Sequence, residues 1–359
     1  MFGATLTLRT IGLTILLLAC GGLSGLLAKA LHLPMPFMLG SLASSGLAIA
    51  LFQDGALRDY SFPMRFRTLC IGLIGVMIGT QVKPELLDVA GDMLLTLAML
   101  AVFVMLAHGG NYLIYRRLGG FDRATAYYSG TPGGLMESLV MGERAGADPA
   151  QLTVQQFLRI ILVVTLVPAA LSLWVGHPVG SAAGFGGSAA EPVTPLALVL
   201  IVIAAAAGLA LGQVIRLPAA QITGPLLLSG ALTATGLVDL HLPFWLIAGA
   251  QVVVGVSLGM RFSGISLAML RRSLGLSVTS VLFMLLLGAG FATVLAHVTG
   301  VPFLLLMISY SPGGVTEMSV VALSLAANPA LVSLHHVVRI LFTVGFMSLA
   351  ERHVNLSEG

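Results

Sequence analysis

The sequence predicts an all-α polytopic membrane protein built from two inverted-topology repeats. Three observations carry that prediction: an apolar composition that runs from end to end, a Pro-Gly-Gly segment that occurs twice, and arginines whose sidedness exchanges between the halves. Of the 359 residues, 57% are apolar and 9% charged, against roughly 45–50% and 25% in soluble domains, and apolar windows of about 20 residues recur along the chain. The formal net charge of +3 is spread between apolar segments with no basic-aromatic face, which argues against nucleic acid as a partner. Cys20 and Cys70 both fall inside apolar segments, where small inert thiols are expected rather than a disulfide or metal pair. Arg9 and the apolar stretch after it resemble a secretion signal. Apolar character continues through Leu31 with no small-residue cleavage site, so an uncleaved first span is expected.

The halves are visible by alignment. A shift of roughly 180 residues brings TPGGLMES (Thr131 to Ser138) onto SPGGVTEM (Ser311 to Met318). The same shift places Pro149-Ala150 on Pro329-Ala330, Arg159-Ile160 on Arg339-Ile340, Asp59 on Asp239, Pro63 on Pro243, Gly75 on Gly255 and Gly79 on Gly259. With a slip of about four residues, Leu33-Pro34 and Gly40 meet Leu217-Pro218 and Gly224. Residues 1–177 are therefore expected to form the first membrane repeat and 196–359 the second. Residues 178–195 between them are rich in Gly, Ala and Ser, cannot pack a core and read as a flexible periplasmic linker.

Each half offers six apolar segments, in the first half Thr10 to Leu31, Met35 to Phe52, Thr68 to Val82, Leu86 to Tyr115, Ala124 to Met141 and Val154 to Trp174. Six crossings would make the halves parallel, and the arginines oppose that. In the first half they collect after the second and fourth segments (Arg58, Arg65, Arg67; Arg116, Arg117, Arg123). In the second half they collect after the first and third (Arg216; Arg261, Arg271, Arg272), while Asp239, His241 and His297 occupy the loops that match the basic ones. Basic loops stay cytoplasmic, so each half needs an odd number of crossings. The Pro-Gly-Gly segment is the one expected not to cross, because proline and paired glycines end a helix and let the chain turn back as a re-entrant hairpin. About five crossings and one broken segment per half put both termini in the cytoplasm and leave only Lys29 and Lys83 outside. Glycines one turn apart, such as Gly72, Gly75 and Gly79, are expected to let helices approach closely.

The broken segments are where chemistry is expected. Non-helical backbone at membrane depth survives only inside protein or against a water-filled cavity. In transporters with inverted repeats, paired breaks meet near the midplane, where freed amides and carbonyls hold solute and ions. The candidate binding residues are Ser129, Thr131, Pro132, Gly133, Gly134, Glu137 and Arg159 in the first half. Their counterparts in the second are Ser309, Ser311, Pro312, Gly313, Gly314, Glu317 and Arg339, joined by His335 and His336, which replace Gln155 and Gln156. A carboxylate in a membrane segment costs roughly 2.5–3.5 kcal/mol unless paired, protonated or hydrated, so Glu137 and Glu317 are expected to bind a proton, Na⁺ or solute, or to pair with arginine. Arg159 and Arg339 are the expected partners. Each would otherwise snorkel, or offer its planar fork to a carboxylate or phosphate. The adjacent histidines diverge by about 100° on a helix and do not read as a metal site, although one could shuttle a proton. Asp148-Pro149 and Asn328-Pro329 read as capped helix starts.

These residues resemble a family. The duplicated TPGG…E and SPGG…E segments, followed by an Asn-Pro helix start and a last helix with His-His-x-x-Arg-Ile, are similar over essentially the whole chain to the AbrB duplication family of bacterial membrane proteins. That family is distinct from the soluble DNA-binding regulator of the same name. It is labelled variously an ammonia monooxygenase, a regulator of gene expression or a transporter, and the resemblance implies the bacterial inner membrane. The paired hairpins also look like those of glutamate/Na⁺ and citrate/Na⁺ symporters, by architecture alone. The function expected is secondary, ion- or proton-coupled transport of a small polar solute, anions included, with Na⁺ or H⁺ as coupling ion, no other cofactor and no resident metal. The bilayer, the solute and a second copy of the chain are the expected partners. Nothing reads as a nucleotide loop or a serine elbow, so no enzyme is expected. The alternatives are a metal-dependent monooxygenase, which would need clustered histidines and carboxylates, and a membrane regulator or scaffold affecting gene expression.

Overall fold

The computed structural model describes residues 7–82, 90–180, 194–236, 240 and 242–353. Among these the secondary structure is helical, with no strand. Lys83, Asp239, His241 and residues 181–193 of the expected linker lie outside the described residues, as does the side chain of Arg352. Among the described residues seven helices are long and apolar enough to cross a membrane, so the chain is a multi-pass membrane protein. The chain divides into two compact units, each drawing on both halves of the sequence.

The first unit holds α1 (Leu8–Ala30), α2 (Pro36–Phe52), α3 (Met64–Gly79), α8 (Pro195–Val214), α9 (Ala220–Ala234) and α10 (Phe244–Gly259). Thr7 and Thr194 start α1 and α8 by accepting from amides three residues on, at 3.2 Å each. Proline occupies the first position of α2 and α8, where its missing N–H costs nothing. At 15 to 17 residues, α2, α3 and α9 span only about 23–26 Å.

Glycine decides how these helices meet, and it does so twice. A methyl group on Gly255 or Gly259 of α10 would strike Ser41 or Ser45 of α2; one on Gly75 or Gly79 of α3 would strike Pro225 or Ser229 of α9. The turns before α2 and α9 also match. His32 and Met35 take φ of 55° and 49°, and Arg216 and Ala219 take 55° and 48°. Four non-glycine residues thus take left-handed backbone, in two pairs at one spacing.

The arginines of this unit gather at one end. Arg9 donates to the carbonyls of Ala56 and Arg58 at 3.2 and 3.5 Å, and Arg261, just past α10, reaches Met64 at the start of α3 at 3.7 Å. Lys29 lies at the other end, 5.5 Å from the ring of Phe244. α3 and α10, equivalent in sequence, thus run in opposite directions.

The second unit holds α4 (Ala90–Leu113), which widens into a π turn at Ile114–Leu118, with α5 (Arg123–Ser129), α6 (Leu135–Arg144), α11 (Leu267–Thr299), α12 (Phe303–Tyr310) and the start of α13 (Val315–Ser324). Most of α7 (Pro149–Val175) and of α14 (Pro329–His353) belongs here too. α4 and α11 pack antiparallel, with Gly110 under Phe283 and the Phe103 and Phe291 rings edge to face at 5.8 Å. Leu100, Phe103, Val104 and Ala107 are fully buried there. The 33-residue α11 is about 50 Å long.

Candidate functional site

Every residue of the predicted site lies in this second unit. The first break interrupts a helical hairpin. α5 is 7 residues long and α6 is 10, each too short to cross a bilayer. Asp122 caps α5 by accepting from the Thr125 amide at 2.8 Å. The chain returns to where it started: the Asp148 amide donates to Thr125 Oγ1 at 2.7 Å, and Gly142 of α6 packs on Tyr128 of α5. Ala124, Tyr128, Ala147, Leu152 and Met347 form the apolar seam. The tip is Thr131 to Gly134, all buried, and Gly134 starts α6 at φ 63°, a conformation that favours glycine.

α7 then holds the tip. Asp148 caps it through bonds from Ala150 and Gln151 at 2.9 and 3.1 Å. Two residues three apart on one face meet the break. The Gln156 amide donates to the Tyr128 carbonyl at 2.7 Å and to Thr131 Oγ1 at 2.8 Å, and Arg159 donates to the Thr131 carbonyl. Thr131 and Ser138 hydroxyls lie 2.7 Å apart, and Ser138 bonds the Gly134 carbonyl at 2.8 Å.

The second break joins α12 to α13. Arg339 of α14 donates to the carbonyl of Ser311 and, at 2.6 Å, to that of Gly313. The Ser309 and Ser311 hydroxyls bond carbonyls one turn back at 2.8 and 2.7 Å. Pro312 and Gly313 are buried, and Gly313 packs on Met318. The histidines diverge as helical neighbours must: each donates Nδ1–H to the carbonyl four residues back at 2.9 Å, and His335 Nε2 reaches Thr96 Oγ1 at 2.9 Å.

The two breaks converge on Arg339. A side-chain carbon on Gly133 would stand 3.6 Å from Arg339 Nε and 3.4 Å from Thr343 Oγ1, so the first-half tip lies against the second-half arginine. Arg159 holds the Thr131 carbonyl two residues before Gly133, so both arginines meet the first tip. Both are buried, 5% and 2% exposed. They neither snorkel nor pair with a carboxylate among the described residues, and each keeps a buried Nε without a partner. Their charges instead satisfy the carbonyls that the breaks set free.

Glu137 and Glu317 take another course. Each occupies the third position of its short helix and folds back over the glycine that precedes the helix: Glu137 Oε2 is 3.5 Å from a carbon placed on Gly134, and Glu317 lies against Gly314. There a carboxylate complements freed amides and the positive end of the helix. Glu317 is 6% exposed and Glu137 half-buried. Ser129 is buried with no partner for its hydroxyl.

The ends of the unit differ. Arg116, Arg117, Arg271 and Arg272 cluster where α4 ends and α11 begins, and a cavity of about 820 Å³ opens there between Gly119, Gln151, Gln155, Arg272 and Ser273. Gln155, one turn from Arg159, accepts from Ser277 at its inner limit. At the His335 end, Tyr310 donates to the Thr96 carbonyl at 2.6 Å and packs against Phe103 and Phe291 at 5.3 and 5.7 Å. Thr96, Gln156, Tyr310 and Thr343 belong to this constellation although the motif does not single them out. The available signal was a polar group in an apolar helix, and for Gln156 and Thr343 a place one turn from an arginine. Among the described residues no three His, Cys, Asp or Glu side chains converge.

A family model described as transition state regulatory protein AbrB matches residues 44–355, which takes in both breaks and both arginines. "Putative regulator AbrB" of Escherichia coli (strain K12) is 26% identical over 304 residues, covering 84% of this chain and 85% of its own length. "Uncharacterized protein YhjN" of Bacillus subtilis (strain 168) is 21% identical over 296 residues, covering 78% of this chain and 77% of its own.

Proposed function

This chain belongs to the AbrB family of membrane proteins, and from that premise we propose that it is a secondary transporter of a small anionic solute. The carrying observation is the pair of buried guanidiniums, each bonded to a break carbonyl and each with an Nε–H left over. Two buried charges without counter-ions cost several kcal/mol each, and a passing anion would offset that cost. Hairpin tips of free backbone beside them supply what a transporter's central site needs. The cavity at the arginine-rich end offers a path from one side, because it stops one helical turn short of Arg159.

On this reading the hairpins are re-entrant, the repeats 1–177 and 196–359 are inverted, and 178–195 links them in the periplasm. The opposed directions of α3 and α10, and of α4 and α11, support that arrangement. The basic ends are cytoplasmic, with both termini, in a bacterial inner membrane. Glu137 and Glu317 are the groups to carry coupling, by H⁺ or Na⁺, because protonation or ion binding would release each from its helix start. A second copy of the chain is a partner to test by mass in detergent. A monooxygenase would need a convergent ligand set to support it, and the regulator reading rests on a relative's name.

The test uses full-length protein in detergent, with thermal stabilisation by a panel of small metabolites at several pH values, with and without Na⁺. An anion should stabilise the native chain, less so Arg339→Gln, with a dependence on pH or Na⁺ that Glu137→Gln and Glu317→Gln abolish. Anion effects identical in all the variants would defeat the assignment.

A further inference from the structure

Among the described residues the last helices of the two halves present five buried polar atoms without partners, the Nε of both arginines, Gln155 Nε2, Gln156 Oε1 and His336 Nε2, and the last two are acceptors. At equivalent positions stand Gln156 and His336, three residues before Arg159 and Arg339 on the same helical face. Gln156 and His336 are both 0% exposed. The Gln156 amide nitrogen is committed to the Tyr128 carbonyl, which can only accept, so its Oε1 is the free atom. The His336 Nδ1 is likewise committed to the Val332 carbonyl as a donor, so in the neutral ring Nε2 is a bare lone pair, and it too has no partner. Gln156 and Arg159 both hold Thr131, and Gly133 two residues on lies against Arg339 Nε, which places the arginines and Gln156 at one tip, with His336 one turn before Arg339. Buried polar atoms that lack partners cost about 1–3 kcal/mol each, and such groups mark a site that is completed by something else.

A plain anion would complete only the arginines. Resting on the transporter reading above, we propose that the solute carries both an anionic group for the Arg159 and Arg339 Nε–H donors and a hydrogen-bond donor for His336 Nε2 or Gln156 Oε1. That chemistry is a small hydroxy- or amino-carboxylate rather than a simple carboxylate or an inorganic halide. His336 and Gln156 are then the specificity-determining residues. A site built to hydrogen-bond an O–H or N–H rejects the analogue that lacks it, because its own polar atoms are left unpaired.

The experiment is a matched ligand ladder on full-length protein in detergent, read by titration calorimetry. It compares propionate with 2-hydroxypropionate and 2-aminopropionate, and the corresponding pairs of mono- and dicarboxylates up to six carbons. At one chain length the donor-bearing member should bind about 10-fold or more tightly than its plain counterpart. His336→Leu removes one of the two acceptors and should lower that ratio by about 3-fold or more. His336→Gln, which installs the residue the first half already carries at this position, keeps an acceptor, should fold, and should retain the preference. Equal affinities of plain and donor-bearing acids in the native chain would overturn this inference and leave the anion reading standing. Failure of every carboxylate to bind would overturn both.

Discussion

The first break and the second carry the same motif and the same arginine 28 residues after the threonine or serine it bonds, yet they are held differently. At the first, Gln156 shares the work with Arg159, and the arginine meets one carbonyl. At the second, His336 turns its donor to its own helix, and Arg339 alone holds two carbonyls. The flanks diverge in the same sense. Asn111 bonds the Gly130 carbonyl at 3.2 Å and takes Ser280 at 2.9 Å, whereas the equivalent Phe291 stacks on Tyr310, the equivalent of Gly130. The two breaks share one motif, and their flanks differ, one polar and beside a cavity, the other aromatic. A symmetric pair would have no reason to discriminate its two sides.

Removing the arginines should break the comparison most visibly. Arg339→Ala strands two buried carbonyls at about 1–3 kcal/mol each, while Arg159→Ala strands one. Thermal unfolding in detergent should therefore fall further for Arg339→Ala, and equal losses would show that the breaks are held alike. The glycines offer a sharper contrast. Gly134→Ala forces alanine to φ 63° at about 1 kcal/mol, whatever stands at position 137. Gly314→Ala instead collides with the Glu317 carboxylate, so adding Glu317→Ala should recover about 1 kcal/mol or more where adding Glu137→Ala to Gly134→Ala recovers almost nothing. A double-mutant cycle at each site reads this directly. Smaller effects lie at the ends. Tyr310→Phe deletes one buried bond to Thr96 and should cost about 1 kcal/mol. Ser277→Ala should cost only a few tenths, because Gln155 faces a cavity where water can replace the hydroxyl. A larger loss for Ser277→Ala than for Tyr310→Phe would show that the bond beside the cavity is the stronger of the two.

Much of the architecture is legible in the sequence. Apolar runs marked the spans; TPGG and SPGG marked the interruptions, because proline and paired glycines end a helix locally; Asp148-Pro149 and Asn328-Pro329 marked helix starts, because capping is local too. The pairing of charges is not. Pairing of Glu137 with Arg159, and of Glu317 with Arg339, was one of the expectations, beside ion or solute binding, because opposite charges in lipid should meet. Each found a nearer partner of another kind: the carboxylates took the positive start of their own helices, and the guanidiniums took carbonyls that the breaks had released. The backbone at a broken helix is itself a set of strong donors and acceptors, and it competes with opposite charge for both kinds of side chain.

By itself, then, the sequence determined a membrane chain of two related halves, the places where its helices fail, and which few charges enter the apolar region, since composition, helix breaking and capping act over a handful of neighbouring residues. Only the tertiary structure decided that both breaks meet at one arginine, that His335 closes on Thr96 across 239 residues of chain, and that His336 and Gln156 keep acceptors to spare. Those outcomes depend on the separation and direction of side chains brought together from distant helices, which are fixed by how glycines and aromatic rings let the helices pack.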